Sequence, residues 1–166
     1  MPRLHGMAVR FPALALLVFL GAASAMMTGQ ADDTTLHEFA RRYAAAWSSQ
    51  DPEALAAFYA ESGSLVVNDG EPAVGRAAIS AKAAAFMEAF PDMLVELDSL
   101  VRREDQTVFH WIWTGTNNGP GGTGRSVRIS GFEIWTLDAS GLILESKGQY
   151  DEAEYRRQVG NGGEVE

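Results

Sequence analysis

Apolar residues in the first half of the chain recur at helical spacing. A first helix is predicted to carry them on one face, at Leu36, Phe39, Tyr43 and Trp47. Asp51 and Pro52 then predict the start of a second helix, because Asp caps a helix and Pro suits its first turn. The apolar side of this helix is predicted at Leu55, Phe58 and Tyr59, and Gly63 is placed to end it.

A third helix is predicted from Arg76 onward, and beyond it the pattern changes. Its apolar face holds Ile79, Ala83, Phe86 and Phe90, and Pro91 stops it. From Met93 apolar and polar residues alternate with a period of two, which is typical of strands. Long strands are predicted at residues 93–102, 107–116, 126–137 and 142–150, after a short strand at 64–68. Residues 151–159 could add one or two helical turns.

The order of these elements defines the predicted fold class. Consecutive long strands joined by short turns predict an antiparallel meander, and the three preceding helices pack on one face of it, which makes an α+β fold. Strands of this length coil in order to bury one face. We therefore expect a curved antiparallel sheet of four long strands and one short strand. The helices would cross its concave side and enclose a pocket in a cone-shaped domain.

Residues 1–31 are predicted to be a secretory signal rather than part of this fold. Arg3 and Arg10 provide a positive start, and residues 11–22 are apolar over the length of a signal sequence. The small residues at 23–25 predict cleavage near residue 25, with a second candidate near residue 31. We expect an exported protein, periplasmic or secreted. The alternative is an uncleaved N-terminal membrane anchor, for which the apolar run is short.

The remaining chain is predicted to form one domain, residues 32–160, with a disordered tail at 161–166. The sequence has 13 basic and 22 acidic residues, a net charge of −9. This balance argues against nucleic acid or an anionic membrane as a partner. No stable membrane insertion is expected after processing.

Cofactor and metal chemistry are not expected from this sequence. It contains no cysteine, so it lacks a thiolate nucleophile and a thiolate metal site. Beyond the predicted leader only His37 and His110 remain, without metal-ligand spacing, and His37 is expected to be a solvated helix residue. No phosphate-binding loop or dinucleotide fingerprint is present. The glycine-rich segment 119–124 lies between two predicted strands and is expected to be a hairpin loop.

Short segments along the chain resemble the SnoaL-like polyketide cyclases, which belong to the nuclear-transport-factor-2-like cone folds. Residues 47–55 and 59–63 look like the first helix pair of that family. The GRAAI of residues 75–79 is similar to its GREAI entry to the third helix. The FPD of 90–92 and TGT of 114–116 match the exit from that helix and a strand end.

The resemblance continues to the end of the domain. GRSV at 124–127 with GFEIW at 131–135 resembles a strand motif of the family, and YD at 150–151 with RQVG at 157–160 resembles its closing motif. It implies a cone fold with a pocket for a small apolar or carbonyl-containing ligand. The superfamily includes cyclases, isomerases, dehydratases, hydrolases and binding domains, so the resemblance alone does not specify the chemistry.

The chain departs from the family pattern at three positions. The family usually has Asp at the position of Glu133, His-Trp at Ser146 and Lys147, and His at Asn117. A polyketide cyclase also meets its substrate in the cytoplasm, whereas this chain is predicted to be exported. These differences argue against a true polyketide cyclase.

Glu133 is the first candidate for chemistry, with His110 as its possible proton partner. Glu133 interrupts an apolar strand and shares a face with Trp135. On the pocket side, loss of solvent would raise its pKa and suit a base that removes a proton next to a carbonyl. The resemblance implies the same role, because the matching Asp is the acid/base of the cyclases. The alternative places Glu133 on the outer sheet face, in solvent or at a dimer contact. His110 alternates with Phe109 and Trp111, and the simpler reading is a histidine on the sheet surface.

Further residues are candidates for the pocket wall, each with a plain structural alternative. Tyr43 and Tyr59 could orient a carbonyl oxygen, or be core aromatics that reach the surface. Lys147 and Gln149 could reach the pocket, or be solvated. The large aromatic residues are individually typical of a core and collectively suit a flat apolar ligand: Trp47, Phe86, Phe90, Trp111, Trp113 and Trp135.

The function expected from the sequence is therefore an exported domain with a hydrophobic small-molecule pocket. If it is catalytic, isomerisation, dehydration or cyclisation without a cofactor is the expected chemistry. The alternatives are a binding module without chemistry and an interaction domain. We expect a homodimer in every case, because cone folds commonly pair through the convex sheet face.

Overall fold

The computed structural model describes the backbone of residues 21–160 and the side chains of residues 33–160. The predicted leader falls mainly on residues that lie outside the described ones, as does the predicted tail. The chain divides into two units between Thr35 and Leu36. The second unit holds the sheet, residues 36–48 of the first helix and all later helices. Four helices are described: α1 (Gly21–Ser48), α2 (Pro52–Ala56), α3 (Arg76–Ala89) and α4 (Glu152–Val159).

Six strands form one sheet in the described part of the chain. They are β1 (Tyr59–Val67), β2 (Ala73–Val74), β3 (Leu94–Arg103), β4 (Gln106–Thr116), β5 (Ser126–Leu137) and β6 (Ile143–Tyr150). Their spatial order is β2-β1-β6-β5-β4-β3. The α+β class with helices against a curved, unclosed sheet is confirmed. The structure has one short strand more than the five strands predicted and one helix, α4, more than the three helices predicted.

The sheet is mixed rather than purely antiparallel, which corrects the predicted meander. Strands β3 to β6 do form an antiparallel meander, but its last strand returns beside β1 and runs parallel to it. Register shifts interrupt the pairing of β3 with β4 and of β5 with β6. Such bulges bend strands, which helps the sheet to curve.

The second predicted helix is shorter than its apolar pattern indicates. Asp51 caps it as expected, because its side chain accepts hydrogen bonds from the backbone N–H groups of Glu53 and Ala54. The helix ends at Ala56, and Tyr59 already belongs to β1. Gly63 therefore lies inside a strand rather than at a helix end.

The core lies between the helices and one face of the sheet, called here the inner face. Tyr43 of α1 packs edge-on against Phe109 and Trp135, and Phe86 of α3 packs edge-on against Trp113. Phe109 and Trp135 stack with ring centroids 4.7 Å apart. The predicted α1 face is thus buried at Tyr43 and Trp47, and its aromatic residues meet those of the central strands β4 and β5.

Candidate functional site

A carboxyl group lies in the middle of this aromatic core. Glu133 sits at the centre of β5 and is only 5% exposed. In the sheet it pairs with Phe109 of β4 on one side and Gly148 of β6 on the other. Phe109 is fully buried, so strand alternation places Glu133 on the inner face. The alternative of a solvated carboxylate on the outer face is excluded.

Three side chains donate hydrogen bonds to one oxygen of this carboxyl group. Oε2 accepts from the Ser146 hydroxyl at 2.6 Å, the Tyr43 hydroxyl at 2.8 Å and the Trp135 indole N–H at 2.9 Å. Among the described residues no group donates to Oε1, and Glu133 forms part of the wall of an internal cavity. The carboxyl group is therefore held by Oε2, and Oε1 is left without a donor among the described residues.

A second tyrosine extends this network away from the carboxyl group. The hydroxyls of Tyr43 and Tyr59 lie 2.7 Å apart, and both residues are fully buried. Because the single hydroxyl proton of Tyr43 is used on Glu133, the hydroxyl of Tyr59 must be the donor to Tyr43. The result is a directed chain of hydrogen bonds from Tyr59 through Tyr43 to Glu133.

Burial controls the protonation of all three groups. Loss of solvent raises the pKa of Glu133, and the hydrogen bonds from Ser146, Trp135 and Tyr43 offset this only in part. Burial also raises the pKa of Tyr43 and Tyr59 well above the ordinary tyrosine value, and the nearby Glu133 charge adds to the rise. The two tyrosines therefore remain neutral donors, and the pKa of Glu133 lies above its ordinary value because of burial.

The cavity beside Glu133 is small and mostly apolar. Its volume is about 60 Å³, which is room for a few water molecules or a small part of a ligand. A larger ligand would require its walls to move. The lining residues come from both helices and sheet: Trp47, Leu65, Val67, Phe86, Met93, Val95, Trp111, Trp113, Glu133, Gly148 and Tyr150.

Three tryptophans of this wall have unpaired polar groups. The buried indole nitrogens of Trp47, Trp111 and Trp113 have no hydrogen-bond partner among the described residues. The Trp47 group lies close enough to the Tyr43 hydroxyl to lower the pKa of Tyr43 but falls short of hydrogen-bond geometry. Buried N–H groups without partners are uncommon in proteins, and three of them on one cavity need an explanation.

Most of the predicted pocket residues come together in this region, in two groups. Trp47, Phe86, Trp111 and Trp113 line the cavity. Tyr43, Tyr59 and Trp135 lie behind the carboxyl group and hold it or its partner. Phe90 packs beneath Trp113, with ring centroids 4.8 Å apart, and is a core residue rather than a wall residue. The catalytic role of Glu133 stays a prediction.

Three predicted site residues lie on the opposite face of the sheet. His110 pairs with Phe132 across β4 and β5, so its side chain points away from Glu133 and the two cannot exchange a proton. Lys147 and Gln149 alternate with Gly148 on β6 and are exposed. Lys147 instead forms a surface ion pair with Glu145 at 3.0 Å. These residues are corrected from pocket positions to outer-face positions.

Ser146 and two glycines were not recognised as parts of the site from the sequence. Ser146 is fully buried and makes the shortest hydrogen bond to Glu133. Gly131 lies opposite Trp111, and a Cβ atom there would clash with the indole ring. Gly148 lies opposite Glu133. Strand alternation puts Ser146 on the same face of β6 as Gly148 and Tyr150, but these residues form no apolar pattern that marks this face as the inner one.

Membrane-spanning helices and metal-binding clusters can be assessed in the described residues. Residues 21–160 contain no helix that is both long enough and apolar enough to cross a membrane. Within the same part of the chain, no three His, Cys, Asp or Glu side chains come together in a way that could hold a metal ion.

Together the curved sheet, the covering helices and the buried carboxyl group define an α+β cone domain with an internal small-molecule cavity. Residues 37–159 match the family model of the SnoaL-like polyketide cyclases. The chain belongs to this family. A search of the curated proteins found no match.

Solved structures share this fold at low sequence identity. A putative SnoaL-like polyketide cyclase from Jannaschia sp. CCS1 is 16% identical, with a TM-score of 0.67 over 78% of this chain and 94% of its own. A hypothetical protein from Catenulispora acidiphila with a ketosteroid isomerase-like fold, in complex with trimethylamine, is 20% identical, with a TM-score of 0.66 over 74% and 92%. The epoxide hydrolase/cyclase-like enzyme SalBIII, of salinomycin pyran-ring formation, is 18% identical, with a TM-score of 0.64 over 74% and 95%.

Proposed function

We propose that this protein is a cofactor-independent enzyme that moves a proton next to a carbonyl group of a small molecule, with Glu133 as its acid/base. The observation that carries the proposal is the orientation of one buried carboxyl group. Its Oε2 accepts three hydrogen bonds, its Oε1 accepts none from the described residues, and Glu133 is part of the cavity wall. Isomerisation of an unsaturated ketone, dehydration of a β-hydroxy carbonyl compound and aldol-type ring closure each include such a transfer.

The two carboxyl oxygens of Glu133 have different roles in the proposed acid/base cycle. When Glu133 is ionised, the donors on Oε2 stabilise its charge, and Oε1 is free to take a proton from a bound ligand. When Glu133 is protonated, the proton belongs on Oε1, because Oε2 is already surrounded by donors. The same oxygen then returns the proton to another atom of the ligand. A raised pKa supports this cycle because it brings both protonation states closer to neutral pH.

The relatives add support at the level of the fold. SalBIII is described as an epoxide hydrolase/cyclase-like enzyme, and the protein from Catenulispora acidiphila has a ketosteroid isomerase-like fold with trimethylamine bound. Their identities of 18% and 20% support a shared architecture, and the choice of proton transfer rests on Glu133 itself.

The experiment is exchange of α-protons in heavy water, with cyclohexanone and 2-cyclohexen-1-one as probes. The wild-type protein should accelerate deuterium incorporation next to the carbonyl, and Glu133→Gln should abolish the acceleration because an amide cannot accept the proton. Tyr155→Phe, on the surface helix α4, is a control that should retain it. Equal exchange by the wild-type protein and Glu133→Gln would disprove the proposed role.

A binding module without chemistry is the second candidate. The observation that favours it is that the titratable groups in contact with Glu133 are limited, in the described residues, to tyrosines of raised pKa. His110, the expected partner, lies on the outer face. A ligand that binds equally well to the wild-type protein and to Glu133→Gln, without any α-proton exchange, would support this candidate.

Export and self-association belong to this proposal as well. Arg3 and Arg10 followed by an apolar segment support export. N-terminal sequencing of the protein from its native host would reveal cleavage near residue 25 or 31, or an intact N-terminus. Native mass spectrometry of the purified protein would show whether it pairs as a homodimer. Phe132 and His110 on the outer face would then be the positions at which to test the interface.

A further inference from the structure

One residue of the cavity wall also lines a groove on the surface. Val95 of β3 belongs to the lining of the internal cavity and to that of a groove between α1 and β3. The groove has a volume of about 570 Å³, against about 60 Å³ for the cavity. On α1, Trp47 borders the cavity and its neighbour Ser48 borders the groove. Val95 and this end of α1 therefore form a partition between a small internal space and a larger open one.

A single hydroxyl group joins the two sides of this partition. The Ser48 hydroxyl accepts a hydrogen bond of 2.8 Å from the Val95 backbone N–H and lies 3.0 Å from the Ala44 carbonyl oxygen, to which it donates. The bond to Val95 connects the last turn of α1 to the edge of the sheet, across 47 positions of the chain. Because water can replace both partners beside an open groove, such a bond contributes little net free energy and can open and re-form.

β3 is the strand of this wall with the fewest attachments. In the described part of the chain it lies at the edge of the sheet and pairs only with β4, whereas β1, β4, β5 and β6 are each paired on both sides. A register shift between Leu97 and Ser99 also interrupts its pairing with β4. Segments with few backbone hydrogen bonds and an open flank move at the lowest cost in free energy. Displacement of residues 94–97 therefore costs less than displacement of an inner strand.

We propose that ligands reach the cavity through the groove between α1 and β3, by an outward movement of Val95 that breaks its hydrogen bond with Ser48. This inference rests on the proposed function, because it names the route by which a ligand arrives beside Glu133. The movement supplies the displacement of the walls that a cavity of about 60 Å³ requires before it can hold a molecule such as cyclohexanone. Once the ligand is inside, the bond between Ser48 and Val95 re-forms and closes the partition.

A second depression shares wall residues with the cavity and is the competing route. Trp111 and Tyr150 line both the cavity and a depression that includes Ser130. Opening this route would move a tryptophan ring packed over Gly131, where a Cβ atom would clash with it. Trp111 and Tyr150 also belong to strands that are paired on both sides. The route past Val95 displaces a smaller side chain on a strand with fewer attachments.

The test measures how fast probe molecules enter and leave the cavity. Cyclohexanone is the first probe, and xenon, which occupies apolar cavities, is the second. Nuclear magnetic resonance line shapes of the ¹⁵N-labelled protein give the association and dissociation rates of cyclohexanone. Exchange of dissolved ¹²⁹Xe gives the same rates for xenon. Neither measurement requires a chemical reaction.

Ser48→Ala removes the hydroxyl group that joins the partition. Both rates should rise about three- to tenfold while Kd stays unchanged, because the lost bond is present in the free protein and in the complex and is broken only during passage. Ser49→Ala is the matched control, since the Ser49 hydroxyl donates to the nearby Ala46 carbonyl group of α1. It should retain the rates of the wild-type protein. Equal rates in Ser48→Ala and the wild-type protein would overturn the inference.

A second pair of variants distinguishes the two routes. Ala45 is exposed on α1 and lines the groove, so Ala45→Phe should obstruct it and slow both rates severalfold. Ser130→Phe adds the same ring to the competing depression and should leave both rates unchanged. If Ser130→Phe slows entry and Ala45→Phe does not, the entrance lies at Trp111 and Tyr150, and the inference is overturned.

The outcome can be separated from that of the proposed function. Changed binding rates in Ser48→Ala and Ala45→Phe, without α-proton exchange by the wild-type protein, would support the entrance and count against the enzyme. Exchange that Glu133→Gln abolishes, together with unchanged binding rates in Ser48→Ala and Ala45→Phe, would support the enzyme and overturn the entrance. Failure of both cyclohexanone and xenon to bind would overturn it as well.

Discussion

The hydroxyl of Tyr43 donates a hydrogen bond of 2.8 Å to Oε2 of Glu133, although the two residues are 90 positions apart in the chain. Tyr43 belongs to α1 and Glu133 to the centre of β5, so this bond fastens a helix to the inner face of the sheet at a fully buried point. Together with the bonds from Ser146 and Trp135, it leaves Oε1 as the carboxyl oxygen without a donor among the described residues. The same contact thus serves the packing of the domain and the chemistry proposed for it.

Tyr43→Phe is expected to destabilise the protein by about 1–3 kcal/mol, because Glu133 loses a donor and the buried hydroxyl of Tyr59 loses its acceptor. Since the hydrogen bond from Tyr43 lowers the pKa of Glu133, this pKa should rise further in the variant. Urea unfolding gives the first quantity, and ¹³C spectroscopy of the carboxyl group across a pH series gives the second.

Tyr155→Phe is the matched control for that variant. Tyr155 is half-buried on α4 and lies against Trp113 rather than in the Glu133 network. Its loss of a hydroxyl should change stability little and leave the pKa of Glu133 as in the wild-type protein. If Tyr155→Phe changes the stability and the pKa of Glu133 as much as Tyr43→Phe does, the hydrogen bond from Tyr43 to Glu133 is not the cause of either change.

The stability of the protein should depend on pH through Glu133. Its pKa is raised in the folded protein, so the folded state holds this proton more tightly than the unfolded state does. The associated stability is fully present below the unfolded pKa, falls as pH rises from there through the folded pKa, and is constant above it. In Glu133→Gln this decline should disappear. Thermal unfolding between pH 4 and pH 9 compares the two, and parallel curves would contradict the assignment.

The sequence was sufficient to predict most of the fold because its local signals agree with one another. β5 was predicted at residues 126–137 and is observed there, since its apolar residues alternate and loops bound it on both sides. The start of β1 was missed. Leu55, Phe58 and Tyr59 satisfy a helical spacing, and only pairing with β6, which is distant in sequence, converts Tyr59 into a strand residue.

The site was predictable where strand alternation has a clear apolar signal. Glu133 could be placed with Trp135 on the inner face for this reason. β6 gives no such signal, because its inner positions are Ser146, Gly148 and the half-buried Tyr150. Lys147 and Gln149 were therefore chosen as pocket residues from their chemistry alone. The pairing of Glu133 with Gly148 decides which face of β6 is the inner one. This pairing cannot be predicted from the sequence of a single strand.

Gly63→Ala is expected to destabilise the domain by about 1–3 kcal/mol, the usual cost of added bulk in a packed region. A Cβ atom at Gly63 would lie 2.7 Å from the Ile143 carbonyl oxygen and 3.0 Å from that of Ala60. Both are backbone atoms, so β1 and β6 would have to separate at their junction. Chemical unfolding measures the loss, and a variant as stable as the wild-type protein would show that this junction is loose.

Asp92→Asn tests a second pH-dependent contact, at the end of β4. The Asp92 carboxylate accepts hydrogen bonds from the Thr116 backbone N–H at 2.6 Å and from its hydroxyl at 2.7 Å. These bonds lower the pKa of Asp92, so its contribution to stability is present above the unfolded pKa and is lost as pH falls through the folded pKa. Because Asp92 is exposed, we expect a small effect. The variant should differ from the wild-type protein at pH 7 and converge with it in acid.

Gly148→Ala should weaken ligand binding in the cavity and leave the stability of the fold almost unchanged. A Cβ atom at Gly148 would lie 3.4 Å from Cγ of Glu133 and 3.5 Å from the Val66 carbonyl oxygen, which is ordinary contact. We therefore expect stability within about 1 kcal/mol of the wild-type protein. The added methyl group occupies part of a cavity of about 60 Å³, so the affinity for cyclohexanone, measured by calorimetric titration, should fall about tenfold or more.

Gln149→Ala provides the comparison, since Gln149 is the next residue of β6 and lies on the outer face. It should leave the affinity for cyclohexanone unchanged, as measured by the same calorimetric titration. A loss of affinity in Gln149→Ala but not in Gly148→Ala would move the binding site to the outer face. It would then be His110 and Phe132, rather than Glu133, that lie beside the ligand, because they share that face with Gln149.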